Sequence, residues 1–332
     1  MNKILIDKIT RCIPFKKLRN DIREFFYALN DELSQLSKLN DLDEIKYKLN
    51  IIQNQNDIII KYISHSRDIQ VDYLFSLKKE ILENHKNNIK NNKVIYTCIT
   101  GRYNNLFVHT YINKDYDYIC FTDDPILIKS QVYGNWIIKP VDNINSDNSK
   151  INRYYKMHPH EVLKEYDYSL YVDANIDIKT SYIFECIEQC IKENIYLSIP
   201  KHYQRDCIYD EAIEIIDGKI DNADIINKQI ELYKNEGFPK HYGLAENNCI
   251  FRKHNEKEII SIMEDWWYML TNYSKRDQMS LFYILWKHRY SMKYLTKIPI
   301  RFDILNFEVF YHNKLTKPLT LEELGYKYGW RI

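Results

Sequence analysis

Carboxylates, amides and basic side chains recur at the ends of apolar runs in this chain. The clearest case is Tyr166 to Ile178, Tyr-Asp-Tyr-Ser-Leu-Tyr-Val-Asp-Ala-Asn-Ile-Asp-Ile. Its apolar part, Tyr168 to Val172, has the aromatic and branched content and the length of a buried central strand. Asp173, Asn175 and Asp177 follow with a period of two. Continued extension would send all three side chains to one face at the strand's carboxyl end, where open α/β sheets bind ligands. A divalent cation carrying a diphosphate is held by hard oxygen ligands of this kind, commonly one or two carboxylates. The plainer reading is that Asp173 caps a following turn or helix.

Two earlier runs end in the same manner. Val94 to Ile99 leads into Thr100, Gly101, Arg102 and Tyr103, a strand and tight turn whose backbone N–H groups can approach a nucleotide. Tyr116 to Phe121 leads into Thr122-Asp123-Asp124-Pro125, where Asp123 or Asp124 can hold ribose hydroxyls, although these four residues are also a common turn signal. Arg153 and Lys156 stand three apart on one side of a helical turn, a spacing suited to gripping phosphate. His158 and His160 flank Pro159 and need a third partner to hold a metal; packing or capping is the alternative.

Further along, the stretch from Lys201 is dense in Arg205, Asp206, Asp210 and Glu211 and is expected to be an acceptor-facing loop, the start of a solvated helix being the alternative. Glu246, Asn247 and Asn248 precede an apolar strand, and polar groups entering a sheet need partners that ligand hydroxyls can supply. Asp277 lies in the first turn of a helix opened by Arg276-Asp-Gln-Met-Ser-Leu281. It is either a base at a cleft or a favourable charge on the helix dipole.

These candidates need a scaffold that gathers strand ends, and the periodicities provide one. Further strands are expected at Trp136 to Val141 and Ile195 to Ile199, with helices at Tyr182 to Glu193, Asp224 to Glu236 and Ile259 to Leu270. The alternation makes residues 93–332 an α/β domain, with the tail as a closing segment. Residues 1–92 differ: they hold one proline, Pro14, and no glycine, and are expected to be an all-α region joined by a linker at Asn84 to Asn92. From Leu42 the positions Ile45, Leu49, Ile52, Asn56, Ile59 and Ile63 step by three and four, a heptad rhythm through which the chain could pair as a homodimer. Nearer the start, Lys8, Arg11, Lys16, Lys17, Arg19 and Arg23 mix with Phe15, Phe25, Phe26 and Tyr27, as in a helix lying on an anionic membrane surface. Asp7, Asp21 and Glu24 equally suit a solvated face packed on the next domain.

With 47 Lys and Arg against 46 Asp and Glu, net charge gives no argument for nucleic acid. The 29 tyrosines are spread throughout and follow a compositional bias rather than a stacking platform. The seven cysteines include no Cys-x-x-Cys pair, so buried free thiols in a reducing cytosol are expected rather than zinc. No run of about 18 uncharged apolar residues occurs, and the start lacks a signal-peptide core; a soluble cytoplasmic protein, at most peripheral to the inner face of a membrane, is expected.

Taken together, Tyr-Thr-Cys-Ile-Thr-Gly-Arg-Tyr, Cys-Phe-Thr-Asp-Asp, Asn-Arg-Tyr-Tyr-Lys-Met-His-Pro-His, Tyr-Asp-Tyr-Ser-Leu-Tyr-Val-Asp-Ala-Asn and Lys-Arg-Asp-Gln-Met-Ser-Leu form an ordered series over roughly residues 93 to 290. The series resembles a plant and bacterial glycosyltransferase-like family once catalogued only as a domain of unknown function. The resemblance implies the GT-A fold, a nucleotide-sugar-binding α/β sandwich with a mostly parallel central sheet. It also implies transfer of a sugar, from a UDP-linked or similar donor, to a glycan acceptor, with surface or capsule polysaccharide as the expected setting. Under it Asp173 and Asn175 take the place of an Asp-x-Asp motif for Mn2+ or Mg2+, with Asp177 as a substitute ligand and His312 as the C-terminal histidine completing the metal site. Asn175 departs from that motif and weakens the hold on a cation. Asp277 looks like the base of an inverting transfer, with Glu246 as its rival. The competing readings are a catalytically silent nucleotide- or glycan-binding scaffold and, less well supported because Gly101 stands alone, a sugar nucleotidyltransferase.

Overall fold

The computed structural model describes residues 91–101, 103, 104, 106, 108–142 and 147–310. These fall in the second of two compact units, Phe75–Ile332, the first being Met1–Leu74. The N-terminal heptads and basic helix, Arg102 and His312 lie outside the described residues.

Eight strands make one sheet: β1 (Lys93–Ile99), β2 (Asp117–Thr122), β3 (Val132–Tyr133), β4 (Trp136–Pro140), β5 (Tyr168–Val172), β7 (Leu197–Ile199), β8 (Cys249–Arg252) and β9 (Lys293–Tyr294). Their order is β3-β4-β2-β1-β5-β8-β7-β9, and β4, β2, β1 and β5 run parallel in succession. β8 then pairs antiparallel with β5. A separate ribbon pairs β6 (Ile176–Ile178) antiparallel with β10 (Phe307–Val309). The α/β architecture with a mostly parallel central sheet is therefore as expected, and Tyr168–Val172 is its central strand.

Strand alternation explains why the runs are apolar throughout. In β1, Val94, Tyr96 and Cys98 enter one buried cluster while Ile95 and Ile99 enter another on the opposite face. A parallel sheet covered on both sides leaves no polar face. The first cluster takes in side chains of α2 (Asn148–Met157), α5 (Ile208–Asp217), α6 (Ala223–Asn235), α7 (Lys257–Asn272) and α8 (Leu281–Lys287); the second takes in Ile183, Phe184 and Ile187 of α4 (Tyr182–Lys192). The six described cysteines, Cys98, Cys120, Cys186, Cys190, Cys207 and Cys249, are free thiols.

Two expectations give way to local chemistry. Asp124 does not stand free for a ribose: it caps α1 (Pro125–Ser130), its carboxylate accepting from Ile126 N at 2.8 Å and Leu127 N at 3.3 Å, with Pro125 in the first helical turn. The stretch from Lys201 stays outside a helix only as far as Cys207; Asp210 and Glu211 lie in the first turn of α5, the helix start that was the other reading. Arg205 is drawn onto that helix by Glu211 at 3.1 Å and Glu214 at 3.0 Å.

Candidate active site

The carboxyl ends of β1 and β5, one face of α2 (Asn148–Met157), the segment before β8 and the turn before α8 together wall a cleft of about 580 Å³. Sheet topology puts it there: β1 and β5 are adjacent and parallel, so their ends open on the same side. Five cationic side chains line it, Arg153, Lys156, Lys275, Arg276 and Arg301, against three carboxylates, Asp173, Glu246 and Asp277. That excess of positive charge suits an anion.

The wall contributed by α2 is one stripe of the helix. Asn148, Asn152 and Lys156 recur at four-residue steps, with Ser149 and Arg153 beside them. Asp147 starts the helix by accepting from Lys150 N at 2.8 Å. Asn152 donates to Cys98 O and accepts from Arg153 Nη1 at 2.8 Å, which ties the helix to the end of β1. Lys156 is 2 % exposed at its side chain, and its Nζ lies 2.7 Å from Asp277 Oδ2, 3.8 Å from Asp173 Oδ1 and 4.9 Å from the centre of the Tyr171 ring. Its backbone carbonyl is fixed in turn by Tyr96 Oη at 3.0 Å and by Nη1 of the buried Arg252 at 2.8 Å.

Asp277 is also 3.3 Å from Arg153 Nε. Burial by itself would raise its carboxyl, but Arg153 and then Lys156, with a hydrogen bond from the latter, outweigh it and hold the group well below the usual carboxylate range. Such a carboxylate is a poor proton acceptor. Glu246 is the opposite case. Burial pushes its carboxyl up, and the hydrogen bond from Asn248 Nδ2 at 2.9 Å and the charge of Arg301 at 3.8 Å offset this only in part. Glu246 Oε1 and Asn248 Oδ1 are buried with no hydrogen-bond partner among the described residues.

At the β1 end Thr100 donates to Asn148 O at 2.7 Å, and Gly101 N donates to both oxygens of Asp123 at 2.9 and 3.1 Å. Gly101 has φ +61°, and a Cβ there would stand 2.1 Å from Asn148 Nδ2. Thr100, Gly101 and Tyr103 line the cleft; Asp123 supports the turn from behind and does not.

The three-residue row after the central strand is not formed. Ile176 N donates back to Asp173 O at 3.0 Å, so the chain turns instead of extending. Asp173 stays at the cleft, its N–H donating to Asn248 O at 2.7 Å, but Asn175 is buried and donates through Nδ2 to Phe310 O at 2.8 Å. Asp177 accepts from Thr110 N at 2.7 Å and Thr110 Oγ1 at 2.6 Å, so the β6–β10 ribbon and its neighbours use both oxygens. Neither Asn175 nor Asp177 lines the cleft. Of the expected row the cleft therefore keeps only Asp173, with an ammonium 3.8 Å away, which by itself is not a donor set for a divalent cation.

Sequence reasoning passed over Asn148, Asn152, Lys275 and Arg276. The four-residue stripe leading to Lys156 was a readable signal for the first two. The other two stand directly before Asp277 in the Lys-Arg-Asp-Gln-Met-Ser-Leu series and are brought in by the turn before α8.

The fold and cleft define an α/β domain with a basic ligand site at the carboxyl ends of its strands. The TOD1/MUCI70 glycosyltransferase-like domain matches residues 81–313, most of the chain, and the chain belongs to that family. Among solved structures it is similar to mouse xyloside xylosyltransferase 1 in its apo form, at 8% identity and TM-score 0.37, over 62% of this chain and 84% of that one. It is also similar to the mannosyltransferase Ktr4p of S. cerevisiae, at 13% identity and TM-score 0.31, over 55% of this chain and 62% of that one. No curated protein matches. Among the described residues no helix is long and apolar enough to cross a membrane.

Proposed function

We propose that the cleft binds a nucleotide-diphosphate sugar, UDP-linked in the first instance, and transfers its sugar to a glycan hydroxyl in the manner of a GT-A enzyme. The observation that carries this reading is the buried Lys156 ammonium, aimed with Arg153 into a cleft that has more cations than carboxylates. The Thr100–Gly101 turn lines the cleft beside Tyr103, and Asp173 faces the sugar and its diphosphate.

In an inverting displacement the acceptor oxygen forms the new bond to the anomeric carbon as the bond to the diphosphate breaks. The acceptor proton must go to a base, and charge grows on the departing diphosphate. Glu246 is the better base: burial raises its carboxyl, and its Oε1 makes no hydrogen bond, the nearest charge being Arg301 at 3.8 Å. Asp277, held by two cations, instead positions Lys156 and Arg153, which with Arg276 meet the leaving charge where metal-dependent relatives of the fold would use an ion. The first test is calorimetric titration with UDP, then a donor-turnover assay with and without chelator. Binding weakened in Lys156→Ala and turnover indifferent to chelator support the reading. Tight UDP binding without turnover of any donor turns it to the silent scaffold, and absence of binding removes it.

A further inference from the structure

α2 ends at Met157, and the chain continues through His158 into α3 (Pro159–Val162), which lies against α7 at Glu264. His160 Nε2 stands 2.9 Å from Glu264 Oε1, and His158 Nε2 stands 3.5 Å from the same oxygen. His160, Glu161 and Glu264 each bring a possible ligand atom within 4.8 Å of the other two. None of these residues lines the cleft.

Two features separate this cluster from an ordinary surface ion pair. His158 Nδ1 is 2.8 Å from Tyr154 O, which can only accept, so that nitrogen carries the hydrogen and Nε2 of the neutral ring presents a lone pair. The lone pair faces a carboxylate. The ring cannot turn away, because its side chain is 2 % exposed, stacked on Tyr154 at 4.2 Å and flanked by Trp267 at 5.2 Å. An imidazole whose far nitrogen donates to a backbone carbonyl is held as metal-bound imidazoles are held. In addition, Glu161 and Glu264 each bring an oxygen within 4.8 Å of a His160 ring nitrogen, Glu161 also accepting from Tyr154 Oη. Bonds of about 2.1 Å to one zinc ion place neighbouring N and O ligands roughly 3.0–3.4 Å apart, close to the 2.9 Å between His160 Nε2 and Glu264 Oε1.

We propose that His160, Glu161 and Glu264 bind a divalent transition cation of the zinc type, with His158 held beside Glu264. Imidazole and carboxylate ligands together suit zinc and cobalt rather than calcium. The ion would join the end of α2 to α7. The opposite face of α2 carries Arg153 and Lys156, so occupancy would brace the helix that shapes the cleft without entering it.

The test uses the full chain, stripped with chelator and titrated with Zn2+, and with Co2+ as the visible probe. We expect one equivalent bound, cobalt absorption bands of a low-coordinate site, and an unfolding temperature several degrees higher with zinc. His160→Ala and Glu264→Gln should each weaken binding by a hundredfold or more, and Asp173→Asn should leave it unchanged. Glu264 is about half exposed, so its variant remains informative if His160→Ala does not fold. Equal binding by both variants, no binding by the wild type at millimolar metal, or loss of the cobalt bands in Asp173→Asn would overturn the proposal.

Discussion

Asp277→Asn separates the two roles open to that carboxylate. Removing one partner of a buried ion pair costs about 3–5 kcal/mol, because the other charge is left unpaired. Lys156 is buried to 2 % and its nearest remaining anion is Asp173 at 3.8 Å; Arg153 is a quarter exposed and can turn to water. Both facts favour the lower end, about 3 kcal/mol. For a unit of this size each kcal/mol moves the unfolding temperature by about 2–4 °C, so a fall of roughly 6–12 °C is expected at pH 7. The sign with pH is fixed by the depressed carboxyl: its stabilisation is complete above the unfolded value of about 4 and is lost as pH falls toward the folded value. Wild type and variant should therefore converge in acid.

A double-mutant cycle tightens the argument. Lys156→Met removes the orphaned charge and sets a thioether on the Tyr171 ring, so in the Asp277→Asn background it should restore about 1–2 kcal/mol. Thermal melts of the four proteins measure it. Two outcomes refute the reasoning: Asp277→Asn melting within 2 °C of wild type, or Lys156→Met adding its full cost on top of it. In the turnover assay Asp277→Asn should lose less activity than Glu246→Gln. The reverse ranking would make Asp277 the base.

Glu246→Gln should lower turnover by about 10²–10⁴-fold while UDP affinity by calorimetry stays within a factor of two or three. Because the folded carboxyl is raised, its ionisation works against folding as pH rises; the variant should melt higher than wild type at pH 7.5 and level with it at pH 4. Lys156→Ala should weaken UDP binding about ten- to hundredfold, the range of a charge-assisted phosphate contact, with a shallower salt dependence; unchanged affinity would move the diphosphate elsewhere. Gly101→Ala meets both a left-handed φ and Asn148 Nδ2, so it should melt several degrees lower and bind UDP more weakly, whereas an unchanged melt would mean the β1 turn opens freely.

How far the sequence could be read depended on whether each residue's role was decided locally. β5 was legible from Tyr168 to Val172 because a strand buried on both faces admits almost nothing but apolar side chains. Arg153 and Lys156 were legible because helical spacing alone places them together. The roles of Asp124 and Asp177 were not. Asp124 has the same neighbours in sequence whether it binds a ribose or starts a helix, and only the appearance of α1 decides it. Asp177 depends on Thr110, 67 residues earlier, and on a ribbon partner beyond residue 300.

The turn at Asp173 shows the same division at the site itself. A period of two is a prediction about side chains only while the backbone remains extended, and here the chain folds back within three residues to reach β10. One acidic side chain of the row then remains at the cleft, and the cations of α2 occupy the space beside it. Lys156 can be buried there only because Asp277 comes from 121 residues further along to neutralise it. On the reading proposed above, the pairing that makes Lys156 tolerable in the core is also what takes Asp277 out of service as a base, and Glu246, raised by burial with Arg301 3.8 Å away, is the carboxylate proposed to take the proton.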